Sequence, residues 1–461
     1  MSSLSHETIC ALASGSGPSA ISVIRVSGQR TFFIVNEVFY GKDLKTVPTH
    51  TIHLGTIRSE EKVIDEVLVS VFKGPKSYTG EDVIEIACHG SPYVRNELLN
   101  LLIEKGARAA QPGEFTLRAF INGKLDLSQA EAVSDLINAD SEAAHKLAMQ
   151  QMRGGFSKEI ALLRKQLIDF ASLIELELDF SEEDVEFANR DDLDQLLTEL
   201  HKFTFDLIQS FKVGNVLKNG VPVVIAGKPN AGKSTLLNQL LKDDRAIVSE
   251  IAGTTRDVIE DEMVIDGVVF RFFDTAGIRE TTDHVEAIGV KKTLEKMASA
   301  AVVLYVFDAD DMAPDELRTV YEDLQTAAAN NKAQLLMLAN KMEGKDEKKI
   351  RSDYSYLEEI IFLSAKTGDG LKALENKLLE LVNIDAISGE DVVVTNSRHY
   401  DSLTKANASI VSAQQGLQNG ITGDFIAMDI RQALHYLGEI TGEISNDELL
   451  GNIFSNFCIG K

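Results

Sequence analysis

Cysteine is scarce in this chain: Cys10, Cys88 and Cys458 are the three among 461 residues. They are too few and too scattered for a disulfide framework or a zinc site, and they fit a reducing compartment. Long apolar runs are missing too. The longest, such as residues 300–307, fall far short of a membrane span. Residues 1–17 hold no basic stretch followed by an apolar core, so no secretory signal is expected. These absences make a soluble, cytoplasmic protein with no membrane partner the expectation. Positive charge is also in deficit, with Lys+Arg 46 against Asp+Glu 71 and a net charge of −25. A field of that sign favours solubility and repels nucleic acid and anionic membranes. Any RNA contact is therefore expected through a local basic patch or a basic partner.

The chain has 44% hydrophobic and 25% charged residues, ordinary for a globular protein. Its length suits roughly two to four domains. Four stretches separate by pattern. Residues 1–122 mix strand-like runs (21–26, 63–72, 83–87) with a helix over 93–103, which predicts a small α/β domain. Residues 123–217 turn to helical spacing, with Leu127, Ala130, Val133, Ile137, Ala144, Leu147 and Met152 keeping one face. Residues 218–383 alternate apolar strands (221–226, 268–273, 301–307, 334–339, 359–363) with helices, the pattern of a doubly wound α/β domain. Helical spacing returns over 384–461. One helical domain with an α/β domain inserted between its halves is the simplest arrangement, and two separate helical domains the alternative.

The inserted stretch carries its chemistry in short motifs. Gly227-Lys228-Pro229-Asn230-Ala231-Gly232-Lys233-Ser234 is a complete G-x-x-x-x-G-K-[ST] phosphate-binding loop between a strand and a helix that includes Thr235. Backbone N–H groups at a helix start cradle phosphate oxygens. Lys233 reaches the β- and γ-phosphates, and the Ser234 hydroxyl is a Mg²⁺ ligand. Next comes Ser249-Glu250-Ile251-Ala252-Gly253-Thr254-Thr255, in which Thr255 is the candidate second Mg²⁺ ligand. Asp274-Thr275-Ala276-Gly277 then follows a strand, placing a carboxylate near the metal and the Gly277 N–H near the γ-phosphate. Three such motifs in order are a strong signal.

Base choice rests on Asn340-Lys341-Met342-Glu343, which resembles the N-K-x-D guanine motif of translation-factor-like GTPases. A carboxylate there accepts from N1–H and the 2-amino group of guanine. Here it is Glu343, one methylene longer than the usual Asp. Ser364-Ala365-Lys366 resembles the further guanine-contacting loop of those GTPases. Ile278 stands where many GTPases carry a water-orienting glutamine, so another group must do that work. Glu286 is the candidate. The Asn230 amide oxygen, with the loop 249–254, is a candidate cage for a monovalent cation beside the phosphates.

At this point the chain resembles, end to end, the MnmE (TrmE) family of tRNA-modification GTPases. The resemblance is carried by the phosphate loop, residues 246–257 (A-I-V-S-E-I-A-G-T-T-R-D), residues 274–277, Pro112-Gly113-Glu114-Phe115, residues 124–132 (K-L-D-L-S-Q-A-E-A) and the tail Phe457-Cys458-Ile459-Gly460-Lys461. It implies an N-terminal α/β domain that binds folate and dimerises, a helical domain, and a Ras-like P-loop GTPase domain inserted within the helical one. It implies K⁺ held by Asn230, Ser249, Thr254 and the Ile251 carbonyl, with Glu286 as the water-positioning carboxylate. It implies a tetrahydrofolate derivative (5-formyl- or 5,10-methylene-tetrahydrofolate) at Arg25, Glu85, Lys124 and Lys461. These types make sense, since a carboxylate accepts from pterin N–H donors and cations pair with the folate glutamate. Arg25 is odd within an apolar strand unless paired.

The resemblance further implies a homodimer and an FAD-containing partner, MnmG (GidA), in a heterotetramer. Together they build a carboxymethylaminomethyl or aminomethyl group at C5 of the wobble uridine, with tRNA held mainly by the partner. Cys458 has formal C-a-a-X spacing, but Gly460 and Lys461 fit prenylation poorly. It is either a reactive thiol near the folate or a packed, inert one. Two other readings remain open: an assembly GTPase of the ribosome-biogenesis type, and a folate-binding scaffold with a vestigial GTP site.

Overall fold

The computed structural model describes residues 7–155, 157–179, 189–243, 261–273, 300–308, 310–331, 333–357, 359–382, 393–445, 447–455 and 457–460. The chain divides into two compact units. The first takes in residues 1–137, 149–202 and 402–461, the second residues 138–148 and 203–401.

The first unit is built on a seven-stranded sheet of order β3-β4-β5-β6-β2-β1-β7. Its strands are β1 (Ile9–Leu12), β2 (Ser19–Ser27), β3 (Phe39–Tyr40), β4 (Thr51–Ser59), β5 (Lys62–Phe72), β6 (Val83–Gly90) and β7 (Arg108–Ala109). Two short helices, α1 (Thr31–Asn36) and α2 (Pro92–Glu104), cover one face. Strand alternation sends Ile24, Val26, Val67, Val69, Val71, Ile84 and Ile86 into the core beneath them. Pro92 starts α2 at the one helical position where a missing N–H costs nothing.

Helices complete this unit: α3 (Glu114–Ile121), α4 (Leu127–Ile137), part of α5 (Glu142–Met152), α6 (Ser157–Asp179), the start of α7 (Arg190–Asn219), and three further helices near the chain end. The one-face pattern across 127–152 is in fact two helices. Residues 138–141 interrupt it, and Ser141 caps α5, its Oγ accepting from Ala144 N at 3.1 Å.

The second unit has a six-stranded sheet of order β13-β12-β11-β8-β10-β9. These are β8 (Val221–Ala226), β9 (Asp261–Ile265), β10 (Val268–Phe273), β11 (Val302–Asp308), β12 (Gln334–Asn340) and β13 (Ile360–Phe362). All pairs are parallel except β9 with β10. β11 is central and reads V-V-L-Y-V-F-D, an unbroken apolar run of the kind a strand covered on both faces needs. The helices α8 (Lys233–Asp243), α9 (Pro314–Asn331), α10 (Glu347–Asp353) and α11 (Leu371–Val382) belong to this unit. Two apolar clusters sandwich the sheet, one holding Leu236, Leu240 and Leu374, the other Leu317, Leu324 and Tyr354.

β9 is a strand that the apolar pattern alone does not single out. It is a hairpin with β10 through Asp266-Gly267, both at positive φ (45° and 80°), the backbone a tight hairpin turn demands. The closing helices are α12 (Ser397–Gln418), α13 (Gly423–Thr441) and α14 (Asp447–Ser455). α13 ends on Gly442 at φ 85°, where a Cβ would lie 2.7 Å from Phe120.

Candidate functional site

The phosphate loop sits where β8 ends and α8 begins. Both of its glycines are required by contact. Gly227 has φ 144°, and a Cβ there would lie 2.1 Å from the Val306 carbonyl oxygen of β11. Gly232 has φ 99°, and a Cβ there would lie 2.1 Å from the Asn340 side-chain nitrogen. Asn230 occupies the left-handed region at φ 62°, which Asn tolerates better than most side chains. Lys233 Nζ donates to the carbonyls of Gly227 and Lys228, each at 2.7 Å. Its burial holds the ammonium below the usual lysine value. An anion among these N–H groups would reverse that penalty. Ser234 and Thr235 follow in the first turn of α8.

The residues expected from sequence to recognise the base are joined to this loop. Asn340, at the end of β12, is 1% exposed. Its Nδ2 donates to Ala231 O at 2.7 Å, and its Oδ1 accepts from Ala365 N at 2.9 Å. One amide thus ties the phosphate loop to the loop after β13. Lys341, at φ 62°, pairs with Asp308 at 2.9 Å. Lys345 joins the same carboxylate at 3.1 Å. Burial pulls Asp308 upward, but hydrogen bonds from Lys341, the Asp310 N–H and Lys345 hold it below the ordinary carboxylate value. Glu343 accepts from the Ser364 hydroxyl at 2.6 Å, and that bond holds its carboxyl below the usual value. Ser364 and Ala365 are buried, whereas Lys366 is exposed.

Asn230, Ala231, Gly232, Lys233, Ser234, Thr235, Asn340, Lys341, Glu343, Ser364, Ala365 and Lys366 therefore all fall at the ends of β8, β12 and β13, in the loops after them or in the first turn of α8, in one unit. Ser249, Glu250, Ile251, Ala252, Gly253, Thr254, Thr255, Asp274, Thr275, Ala276, Gly277 and Glu286 lie outside the described residues. Asp308 was not anticipated. It ends an apolar strand with no motif around it, and only its pairing with Lys341 and Lys345 marks it.

A second cluster lies in the first unit. Arg25 of β2 stands directly across from Glu85 of β6. Its Nε donates to Glu85 Oε1 at 2.9 Å, and its Nη1 to Gly460 O at 3.3 Å. The guanidinium carbon sits 5.1 Å from the Tyr78 ring centre and 5.5 Å from that of Phe115. Tyr78 donates to or accepts from Thr116 Oγ1 at 2.8 Å. Burial raises its phenol above the usual value, so the hydroxyl stays neutral.

The tail is seated here. Phe457 packs against Phe454 at 5.2 Å between ring centres, in the cluster that holds Leu127 and Ala130. Gly460, at φ 99°, presses on β1, where a Cβ would lie 2.0 Å from Leu12 O. Cys458 has an exposed side chain, and its carbonyl accepts from Gly113 N at 3.4 Å. Lys124 donates instead to Pro75 O at 3.0 Å and is not bonded to the Arg25–Glu85 pair. Lys461 lies outside the described residues. Tyr78 and Phe115 were missed from sequence as parts of this cluster. The segment P-G-E-F was the one available signal for the latter.

No helix among the described residues is long and apolar enough to cross a membrane. Family models match the chain twice: "GTP-binding protein TrmE N-terminus" over residues 8–124 and "MnmE helical domain" over residues 127–458. The "tRNA modification GTPase MnmE" of Christiangramia forsetii is 56% identical over 99% of this chain and 99% of its own length. That of Flavobacterium psychrophilum is 56% identical with the same coverage. Among solved structures, Era in complex with MgGDPNP and nucleotides 1506–1542 of 16S ribosomal RNA matches at TM-score 0.27 and 26% identity. That match covers 41% of this chain and 66% of Era.

Proposed function

The chain belongs to the MnmE family of tRNA modification GTPases, and from that premise we propose that it couples GTP hydrolysis to modification of the tRNA wobble uridine. The reading is carried by one observation: Asn340 bonds both the phosphate loop and the Ser364-Ala365 loop, so triphosphate and guanine recognition form one assembly. Under this reading residues 1–122 bind folate and dimerise. Residues 123–217 and 384–461 are two halves of a helical domain, and residues 218–383 are the GTPase domain between them.

Lys233 neutralises the β- and γ-phosphates, and Glu343 accepts from the guanine N–H donors. Ser234 and Thr255 would hold Mg²⁺, which when bound supplies charge stabilisation at the phosphate oxygens. Asn230, Ser249, Thr254 and the Ile251 carbonyl would hold K⁺. Glu286 positions the attacking water. Among the described residues Lys233 fits such a site, for a partly desolvated ammonium turned onto carbonyl oxygens is one whose charge a phosphate group would stabilise.

In the N-terminal unit, Arg25, Glu85, Lys124 and Lys461 would hold the tetrahydrofolate derivative. The paired Arg25 and Glu85 support this, offering a carboxylate for pterin N–H groups beside a guanidinium held over two rings. When bound, the folate would supply the one-carbon unit for the uridine, with the FAD-containing partner MnmG as co-worker and carrier of most of the tRNA surface. The net charge of −25 agrees with that division. The test is GTP turnover in K⁺ against Na⁺, with mass analysis of wobble uridine in a deletion strain. Strong K⁺ stimulation and loss of the modified base are expected. Turnover indifferent to the cation would remove the K⁺ site, and an intact modified base would leave an assembly GTPase.

A further inference from the structure

Beside α1 the N-terminal unit holds a cavity of about 540 Å³, lined in part by Arg30, Phe32, Phe33, Lys45, Lys73 and Asp82. Its three cations each lie over a ring. Arg30 sits 5.1 Å and Lys45 5.8 Å from the centre of Phe33, and Lys73 sits 5.7 Å from that of Phe32. Lys73 Nζ also donates to Lys45 O at 2.9 Å. Asp82 is engaged elsewhere, its Oδ1 accepting from Gly74 N at 3.0 Å. Among the described residues no ion pair neutralises Arg30, Lys45 or Lys73. Three positive charges therefore share one hollow against a single carboxylate, in a chain whose net charge is −25.

Like charges gathered this way repel one another. In so acidic a chain, carboxylates to pair with them are plentiful, yet among the described residues none forms an ion pair with them. An anion from outside would complement these charges. The hollow is larger than one phosphate group needs, and its walls include the face of Phe33, which is 45% exposed. Several anionic groups joined by flat or apolar parts suit it better than an isolated ion, and a polynucleotide strand has that character.

We propose that this cavity is a landing site for the phosphate backbone of an RNA strand. The inference rests on the proposed part in tRNA modification. It gives the chain a local contact of its own, weak because the surrounding field is repulsive, in addition to whatever a basic partner provides. It involves neither the nucleotide loops nor the Arg25–Glu85 pair. Arg25 faces the opposite side of β2 from the core under α1.

The experiment is binding of unfractionated bacterial tRNA to the full chain by fluorescence anisotropy between 50 and 200 mM salt. The wild type is compared with the double variants Lys45→Gln/Lys73→Gln and Lys45→Arg/Lys73→Arg. Loss of two phosphate contacts flattens log K against log salt by about 1.4 to 1.8, at 0.7 to 0.9 per contact. The glutamine variant is expected to show that flattening with weaker binding at low salt, and the arginine variant to keep the wild-type slope. Intrinsic GTP turnover and the melting curve should be unchanged in both. An unaltered slope and affinity in a folded glutamine variant overturns the proposal. So does displacement of tRNA by polyglutamate at equal charge concentration, which assigns the hollow to an acidic protein. If the slope changes as expected while a deletion strain keeps its wobble modification, the cavity's RNA role stands and the proposed function falls.

Discussion

Asn340 shows how much one side chain determines at the nucleotide site. Its amide satisfies a buried carbonyl on one side and a buried N–H on the other. Asn340→Ala leaves both unpaired, at about 1–3 kcal/mol for each orphaned group. Denaturant melts of the nucleotide-free protein should show a loss of that size, with nucleotide affinity falling in parallel. A melt identical to wild type would mean water takes over both bonds. Glu343 is a different case, since it is exposed and its worth lies in selectivity. Glu343→Gln replaces one acceptor oxygen with a donor. Preference for GTP over inosine triphosphate, which lacks the 2-amino group, should shrink about tenfold or more, because the site loses an acceptor matched to that donor. Competition binding measures it, and an unchanged ratio would show that the longer side chain never reads the base. Much of this site was legible because the phosphate loop encodes its demands consecutively. Gly227 and Gly232 must be glycine for the close approaches they make. The ring floor under Arg25 was not legible, because Tyr78 and Phe115 reach it from parts far apart in the chain, and the P-G-E-F segment marks Phe115 without saying what it packs against.

Elements are held in place by a few buried charges and close contacts. Glu114, at the start of α3, receives Arg108 of β7 at 2.6 Å and Arg118 at 3.0 Å. Burial alone would raise its pKa. The Arg108 hydrogen bond, the Gln111 N–H and Arg118 outweigh it, and the folded value falls below 4.5. A depressed carboxylate contributes stability in full above its unfolded pKa and loses it as pH falls through the lower folded one. Glu114→Gln should therefore cost about 3 kcal/mol at neutral pH, the low end for breaking a buried pair because the amide keeps one acceptor. Thermal melts should show the gap between wild type and variant closing below the ordinary carboxylate range. A gap independent of pH would assign the loss to packing. The tail is held by shape instead. Gly460→Ala places a methyl 2.0 Å from Leu12 O at a φ that disfavours any side chain. The variant should release the tail and weaken binding of 5-formyl-tetrahydrofolate about tenfold or more, the effect of losing roughly one charged hydrogen bond, with GTP turnover kept. Calorimetric titration decides it. Strands were legible where one face is core, as in β2 and β6. β4 escaped because Ile52 and Leu54 point outward, inverting the burial its pattern implies. β9 is short and half-exposed, and the Asp266-Gly267 turn was its one local mark.

At the scale of the whole molecule, the outer face of the N-terminal sheet calls for an occupant. Register places Leu54 opposite Leu68, Leu68 opposite Ala87 and Ala87 opposite Val23. With Ile52 and Ile21 these side chains share one face, since directly paired residues project to the same side. Ile52, Leu54 and Ile21 are each about two-thirds exposed, and Leu68 about half. So large an apolar face is a poor terminus for a soluble monomer. The Arg25–Glu85 pair lies on the same face, through Ser70, Glu85 and Arg25 in the next row. A second copy seated there would bury the apolar row and shield the pair from water, joining dimerisation to the proposed folate site. The variant Leu54→Asp/Leu68→Asp puts two carboxylates in the middle of that face without touching the core beneath it. Light scattering should find the wild type dimeric and the variant monomeric. Folate binding should weaken with dimer loss, while the monomer keeps guanine-nucleotide affinity, because the phosphate loop belongs to the other unit. A dimer that survives both aspartates would move the interface elsewhere, and a monomer that binds folate as well as the dimer would sever the link between assembly and the pocket.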